Sequence, residues 1–178
     1  YRQLLSLNVG LDARILVIGA GKTNSSMTKF LHKHGYSDFT VFNRTSANAA
    51  LMASKLSGNS YSLVDLPKFN KGFDVIITCT ASDNNIITPE IYKSLLVDET
   101  SKKVVIDLAI PNDFDESIIN DYPVNLIQVS SLKELAQQNI KTREKELVRC
   151  NKIIEDRIVE FTLAQRKRKL EVAMSEVP

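Results

Sequence analysis

The chain has 178 residues, of which 43% are hydrophobic and 25% are charged, and its formal net charge is +2. This composition is typical of a globular protein with one domain and a smaller appendage, and the charge favours no particular partner. No stretch approaches the roughly 18 unbroken apolar residues that a membrane span requires. The first residues also lack the layout of a signal peptide. We therefore expect a cytoplasmic protein without a membrane partner.

Short apolar runs alternate along the chain with segments of helical periodicity. The predicted strands cover residues 14–18, 39–42, 61–63, 74–78, 103–107 and 125–129. The predicted helices between them cover residues 23–34, 46–56 and 89–96. Because helices separate the strands, and the strands are apolar on both faces, we predict an α/β fold with a doubly wound, Rossmann-type parallel sheet. The ligands of such a sheet lie at the carboxyl ends of its strands.

The first predicted strand ends in the sequence Gly19-Ala-Gly21. Gly19 permits a tight turn, and Gly21 lets the backbone approach a pyrophosphate. The next helix would direct the backbone amides of Lys22 and Thr23, together with its positive dipole end, at that anion. The third glycine of the dinucleotide motif is replaced by Asn24, so the helix must lie farther out or the asparagine must find a polar partner. The motif alone does not exclude an ordinary strand, turn and helix.

The second predicted strand ends in Asn43-Arg44-Thr45. Enzymes that prefer NAD carry Asp or Glu at this point to hold the ribose 2′-hydroxyl, and a 2′-phosphate is instead attracted by arginine. Asn43, Arg44 and Thr45 therefore predict a site for the 2′-phosphate of NADPH. The alternative is a solvated turn in which Thr45 is a plain N-cap. Because the glycine motif precedes this segment, we favour the NADPH site.

Two further loops are expected at the same edge of the sheet, after the fourth and fifth predicted strands. Thr80, Ala81 and Ser82 follow one strand, and Ala109 and Pro111 follow the other. Small residues at these places can border a ribose and nicotinamide without blocking them. No residue of this segment is predicted to be catalytic, because the cofactor carries the chemistry of hydride transfer while the protein supplies positioning.

The two cysteines, Cys79 and Cys150, lie far apart and show no metal-ligand spacing, so we expect neither a disulfide framework nor a metal site. Cys79 stands at the end of a strand, where it could be a nucleophile. No histidine or other base is placed to activate it, and buried cysteines are more often small apolar residues. We favour that structural interpretation.

From Ser131 onward the chain changes character. Ser131 is followed three residues later by Glu134, the spacing of a capping box, and neither proline nor glycine then occurs before Pro178. We predict a long helix here and divide the chain into a dinucleotide-binding domain over residues 1–130 and a helical domain over residues 131–178. Residues 166–169, of sequence RKRK, could contact RNA, but a basic helix end is more often solvated.

The predicted helix carries a narrow apolar stripe among charged residues. Its members recur at three- and four-residue steps and are Leu147, Cys150, Ile154, Ile158 and Phe161. Such a stripe requires a partner surface. The helix could fold back over the sheet, but we favour pairing with the same helix of a second copy, which predicts a homodimer.

Together these motifs resemble glutamyl-tRNA reductase, over nearly the whole of the present chain. The segments that carry the resemblance are residues 17–21 (VIGAG), 41–45 (VFNRT), 74–82 (DVIITCTAS) and 105–115 (VIDLAIPNDFD), with the long charged helix. The first three also resemble shikimate dehydrogenase and related NADPH enzymes. The fourth segment and the helix favour the reductase. Asn24 departs from the motif glycine, and Asn112 stands where the family commonly has arginine.

The resemblance implies an enzyme of three domains: a catalytic domain that recognises tRNA, an NADPH domain and a helical dimerisation domain. In that family a cysteine of the catalytic domain attacks the glutamyl ester of glutamyl-tRNA, and NADPH reduces the thioester to glutamate-1-semialdehyde for tetrapyrrole (porphyrin) biosynthesis. Cys79 and Cys150 do not match that cysteine. We therefore expect a fragment with the NADPH domain and part of the dimerisation domain, inactive alone. A shikimate-dehydrogenase-like oxidoreductase domain and a non-catalytic NADPH-binding scaffold remain alternatives.

Overall fold

A computed structural model describes residues 1–175, with all side chains of residues 1–131 and only part of those in the helix that follows. The chain divides into two compact units, Tyr1–Ser131 and Leu132–Pro178. The first contains an α/β sheet, and the described residues of the second belong to one long helix. No helix among the described residues is long and apolar enough to cross a membrane.

The first unit contains a six-stranded sheet of order β3-β2-β1-β4-β5-β6, in which every neighbouring pair is parallel. This order confirms the predicted doubly wound fold. The strands are β1 (Ile15–Ile18), β2 (Phe39–Asn43), β3 (Asn59–Ser62), β4 (Val75–Thr78), β5 (Lys103–Asp107) and β6 (Val124–Gln128). The helices are α1 (Arg2–Ser6), α2 (Lys22–Lys33), α3 (Ser46–Lys55), α4 (Pro89–Leu96), α5 (Ile118–Asp121) and α6 (Val129–Ser175), with a 3₁₀ helix at Leu63–Lys68.

The central strands are buried on both faces, as their unbroken apolar sequences predict. Every residue of β1, β4 and β5 is buried. Alternate side chains such as Leu16 and Ile76 join a core cluster with Tyr92 and Phe114. The intervening side chains face the opposite side of the sheet, because successive residues of a strand alternate in direction. The central strands are therefore covered on both faces of the sheet.

Sequence periodicity missed three short elements: α1, the 3₁₀ helix and α5. Each has six residues or fewer, too few for a periodic pattern to be recognised. Strand β3 begins at Asn59, two residues before the predicted start, because this edge strand is polar and half exposed. Helix α6 begins at Val129, so Ser131 lies within its first turn and hydrogen-bonds Gln128. The Ser131 cap was therefore predicted in the wrong place, and the Glu134 side chain and Pro178 lie outside the described residues.

A charge network closes the amino-terminal edge of the sheet, where β1, β4 and β5 begin. The Arg14 guanidinium donates to Asp74 Oδ1 at 2.8 Å and to Glu99 Oε2 at 2.7 Å. Lys103 contacts the same two carboxylates although its own side chain is only 1% exposed. Hydrogen bonds from Arg14 lower the pKa of Asp74 and of Glu99 to about 2. Two cations and two anions thus balance each other at this edge.

Candidate functional site

A cavity of about 560 Å³ opens at the opposite edge, beyond the carboxyl ends of β1, β2 and β4. These ends lie level, because Ile18 is in register with both Phe42 and Thr78. The cavity is lined by eight residues that the sequence predicted: Gly19, Gly21, Asn43, Arg44, Thr45, Thr80, Ala81 and Ser82. Ala20, Cys79 and three residues missed by sequence reasoning, Asn48, Leu63 and Ile86, complete its lining.

The two motif glycines meet different physical requirements. Gly19 has φ +95°, and a Cβ on it would lie 2.5 Å from the carbonyl oxygen of Cys79, so a side chain is excluded by both conformation and space. Gly21 has an extended backbone, and a Cβ on it would meet no atom within 4 Å. Since Gly21 lines the cavity, that open space belongs to the cavity. Gly19 is thus required by the fold, and Gly21 leaves room for a ligand.

Asn24, at the place of the third motif glycine, has found a polar partner. Its side chain is fully buried, and Nδ2 donates to the carbonyl oxygens of Ile18 and Gly19, each at 2.8 Å. Its Oδ1 has no hydrogen-bond partner among the described residues. Two hydrogen bonds at the end of β1 thus replace the close helix approach that glycine permits. The second alternative offered by the sequence is the one that the structure adopts.

Asn43 joins the two loops that border the cavity. Its Oδ1 accepts from the Ala20 amide at 3.0 Å, and its Nδ2 donates to the Thr45 carbonyl at 2.9 Å. The side chain therefore fixes the glycine loop after β1 against the turn after β2. Because its amide already holds backbone on both sides, Asn43 is suited to positioning its neighbours.

Arg44 and Thr45 stand where helix α3 begins. Arg44 is exposed and is the one charged side chain among the residues that line the cavity, all of which are described. Thr45 is the N-cap of α3, but its hydroxyl makes no capping hydrogen bond, in contrast to the plain cap that the alternative interpretation required. No acidic residue occupies the first turn of α3 or of α2. Both helix ends therefore retain the features that attract an anion.

A buried carboxylate organises the loop after β4. The Oδ2 of Asp113 accepts from the Thr78 hydroxyl at 2.6 Å and from the Thr80 amide at 2.8 Å, and its Oδ1 accepts from the Thr80 hydroxyl. Asp113 is fully buried. The hydroxyl of Thr80 is thus turned toward Asp113, and the loop that carries Ala81 and Ser82 is held in place. Asp113 lies in the motif of residues 105–115, but no role was predicted for it from the sequence.

Asp107 organises the neighbouring loop after β5. Its two carboxylate oxygens accept from the amides of Ala109 and Phe114, each at 3.0 Å, and burial raises its pKa. The predicted residues Ala109 and Pro111 belong to this loop, where Ala109 is buried and Pro111 is exposed. Neither lines the cavity. Their contact with a nicotinamide stays a prediction.

Two more predicted residues, Lys22 and Thr23, lie in the exposed first turn of α2 and do not line the cavity. Their side chains are outside it, whereas the prediction concerned their backbone amides. Cys79 does line the cavity and is half buried, with Sγ 3.5 Å from the Leu108 carbonyl oxygen. Burial raises the pKa of this thiol. A raised pKa favours the protonated, unreactive form, which supports the structural interpretation.

Comparison with known proteins identifies the family. The model of the shikimate / quinate 5-dehydrogenase family matches residues 4–135. A curated glutamyl-tRNA reductase of Methanococcus aeolicus is 32% identical over 170 residues, which are 95% of this chain and 43% of that protein. The first curated relatives are likewise matched over 36–43% of their length, so the chain spans about two fifths of them.

Solved structures give the same result. Glutamyl-tRNA reductase from Methanopyrus kandleri superposes with a TM-score of 0.76 at 28% identity, over 87% of this chain and 40% of that one. The nucleotide-binding domain of the Thermoplasma volcanium reductase has a TM-score of 0.60 at 25% identity, over 80% of this chain and 91% of that one. The chain therefore belongs to the shikimate/quinate 5-dehydrogenase family of NAD(P)-dependent dehydrogenase domains and is a homologue of the NADP-binding domain of glutamyl-tRNA reductase.

Proposed function

We propose that the cavity binds NADPH. The observation that carries this proposal is the pair of helix N-termini, α2 and α3, that meet at one cavity without acidic residues in their first turns. Gly21 and the amides of Lys22 and Thr23 would hold the pyrophosphate, and Gly19 makes the turn that presents them. The space that a Cβ on Gly21 would occupy fits a ligand at this point.

The preference for NADPH is assigned to Arg44 and Thr45, which would hold the 2′-phosphate. Arg44 supplies an exposed guanidinium, and Thr45 supplies a hydroxyl that is not used in capping. Asn43 positions both residues through the Thr45 carbonyl. Thr80, Ala81 and Ser82 would border the ribose and nicotinamide, with Ala109 and Pro111 farther along the same edge. When bound, the cofactor supplies a hydride, and these residues only orient it.

Replacement of Arg44 tests the cofactor assignment. The Arg44→Ala variant is expected to weaken NADPH binding by about 1–3 kcal/mol, the contribution of a charged hydrogen bond, and to change NADH binding little. Titration calorimetry with both cofactors measures this difference. Lys55→Ala is the matched control, because it removes the same charge from the opposite end of α3. Equal losses for NADPH and NADH in Arg44→Ala would contradict the 2′-phosphate assignment.

At the level of the reaction, we infer that the chain serves glutamyl-tRNA reduction to glutamate-1-semialdehyde. The support lies in the extent of the similarity. The match to the Methanococcus aeolicus reductase covers 95% of the chain and so includes most of α6, whereas the shikimate / quinate dehydrogenase match ends at residue 135, in the first turns of that helix. A shikimate-dehydrogenase-like function would leave most of the long helix without a counterpart. The proposed role is to hold NADPH beside a substrate that another domain carries.

Reconstitution tests this role. The chain is mixed with the separately produced catalytic domain of the Methanococcus aeolicus reductase, glutamyl-tRNA and NADPH, and aldehyde formation is followed. The full-length relative is the positive control. NADPH-dependent aldehyde that Arg44→Ala diminishes would support the reductase. NADPH binding without aldehyde would favour the non-catalytic scaffold, and NADP-dependent oxidation of shikimate would favour the dehydrogenase alternative.

Helix α6 is proposed to pair with the same helix of a second copy. Four of the predicted stripe residues, Leu147, Ile154, Ile158 and Phe161, are 55–64% exposed, and Cys150 is also exposed. An apolar stripe of this kind is stabilised by a partner helix. The double variant Ile154→Asp with Ile158→Asp is expected to give a monomer by light scattering. Val159→Asp with Leu163→Asp, apolar and exposed but off the stripe, is the control and should leave a dimer.

A further inference from the structure

The charges of the first unit are divided unequally along the chain. Residues 13–64 contain six lysine or arginine residues and a single acidic residue, Asp38. Residues 65–131 contain five basic and eleven acidic residues. The first segment comprises β1 to β3 with α2 and α3, so this half of the unit has an excess of five positive charges, one of which, Arg14, is paired with Asp74 and Glu99 of the other half. Such asymmetry is a feature of proteins that bind polyanions.

Three of these six basic residues, Lys29, Lys33 and Lys55, line a groove between α2 and α3 that is distinct from the cofactor cavity. Its volume is about 680 Å³, and no residue of its lining is shared with that cavity. We name it the basic groove and define it by Lys29, His32 and Lys33 of α2 and Lys55 of α3. These four side chains are exposed, and buried Met52 and Leu56 contribute to the floor.

The lysines of the basic groove are not neutralised by the residues around them. Helices α2 and α3 contain no acidic residue at all. Among the ion pairs formed by the described residues, none involves Lys29, Lys33 or Lys55. Lys29 and Lys33 lie one turn apart on the same face of α2. Lys103, by contrast, is paired with two carboxylates.

We propose that the basic groove binds the phosphate backbone of tRNA. Lysine is a mobile point charge that meets phosphates without a fixed geometry, which suits sequence-independent contacts to a nucleic-acid backbone. The exposed hydroxyl residue Ser25, also in the lining, can donate to a phosphate oxygen. The choice of tRNA among polyanions rests on the proposed function. The groove would hold the body of the tRNA while its aminoacyl end reaches the chemistry elsewhere.

The test measures binding of the full chain to fluorescently labelled, uncharged glutamate tRNA by anisotropy at 50 to 200 mM KCl. The variant K29E/K33E/K55E is expected to lose about tenfold or more in affinity at 50 mM salt, and its slope of log K against log salt should fall by about two to three. The milder K29Q/K33Q/K55Q variant should show an intermediate loss. Two triple variants with the same charge change, K68E/K71E/K102E and R166E/K167E/R168E, are the controls and should lose much less.

NADPH binding is measured on the same samples and separates this proposal from the proposed function. Retained NADPH binding with lost tRNA binding supports the groove and shows that the fold is intact. Unchanged tRNA affinity in both groove variants overturns the proposal, as does an equal loss in either control triple. The same affinity for duplex DNA, polyglutamate or anionic phosphatidylserine vesicles, with the same loss of affinity in the groove variants, would overturn the assignment to RNA. Absence of NADPH binding with groove-dependent tRNA binding would refute only the cofactor proposal.

Discussion

The two edges of the sheet, at the amino and carboxyl ends of its strands, differ in how their charged residues are used. At the amino-terminal edge, Arg14 and Lys103 are satisfied by Asp74 and Glu99, so these four charges are used within the fold. At the carboxyl-terminal edge, the cavity is lined by uncharged residues and by the single cation Arg44. The charged residues at the first edge are paired with one another, whereas Arg44 at the second edge forms no ion pair with the described residues.

Helix N-termini within the same unit repeat this contrast. Helix α4 is capped by the Thr88 hydroxyl, which accepts from the Ile91 amide, and it has Glu90 in its first turn. Helices α2 and α3 have neither a side-chain cap nor an acidic first turn. Since caps are stabilising, their omission at the two helices beside the cavity costs stability that a bound anion would restore. Changes at the two edges should therefore separate stability from binding.

The largest loss of stability is expected at Gly19, a residue of the carboxyl-terminal edge that the fold itself requires. Gly19→Ala should destabilise the protein by about 3 kcal/mol, because the new Cβ meets a carbonyl oxygen in a left-handed conformation. Urea unfolding measures this loss. Gly21→Ala is the control: it should cost less than about 1 kcal/mol of stability yet weaken NADPH binding. Similar stability losses for both variants would contradict the separate roles of the two glycines.

A smaller loss of stability is expected from replacing Lys103 at the amino-terminal edge. Lys103→Met keeps the apolar stem but removes the buried cation from two carboxylates, and should cost about 2 kcal/mol of unfolding free energy. NADPH affinity should not change, because the whole sheet lies between this edge and the cavity. Lys102→Met, at the exposed neighbouring position, should change stability by less than about 0.5 kcal/mol. Weakened NADPH binding in Lys103→Met would break the proposed separation of the edges.

Asp113→Asn should affect both stability and NADPH binding, because buried Asp113 holds the loop after β4 in place at the carboxyl-terminal edge. An amide group offers one acceptor atom in place of two, so one or more of the donors from Thr78 and Thr80 loses its partner. We expect a stability loss of about 1.5 kcal/mol together with weaker NADPH binding. Asp83→Asn, exposed on the same loop, is the control for the lost charge. A normal NADPH affinity in Asp113→Asn would show that the loop does not depend on this carboxylate.

The smallest effect concerns pH. The pKa values of Asp74 and Glu99 in the folded protein are about 2, below the usual 3.8 and 4.5, so these carboxylates bind protons less readily than in the unfolded chain. Their contribution to stability is complete above about pH 5 and is lost as the pH falls toward 2. Arg14→Gln should flatten the fall of the urea midpoint between pH 6 and pH 3, because Arg14 is the main cause of both shifts. An unchanged slope in Arg14→Gln would contradict this origin.

The sequence predicted the fold well because its signals are local. Unbroken apolar runs identify buried parallel strands, and the glycine motif and Asn43-Arg44-Thr45 identify two loops that the topology then brings together. The polar edge strand β3 and the shortest helices carry no such signal. Asn48, three residues after Thr45, could have been found as part of the exposed first turn of α3.

Long-range contacts account for what the sequence did not reveal. The bond from Asp113 to Thr80 joins residues 33 positions apart, and no periodic pattern reports it. Ala109 and Pro111 do lie in the loop that follows a strand, as predicted. That strand is β5, which is separated from β1 by β4, so neither residue lines the cavity. In the sequence Asn24 is only a departure from the glycine motif, because its two backbone partners are recognised only from the three-dimensional structure of the turn.

Asn43 limits how the cofactor preference of this domain can be engineered. Introducing a carboxylate at the end of β2 is the obvious route to an NADH enzyme, and Asn43→Asp would keep the acceptor for Ala20. It would also set a carboxylate oxygen against the Thr45 carbonyl, where the amide now donates at 2.9 Å. The turn that carries Arg44 would be pushed away from the glycine loop. A redesign for NADH would therefore have to rebuild residues 43–45 together, because the segment proposed to set the cofactor preference also holds the two loops in place.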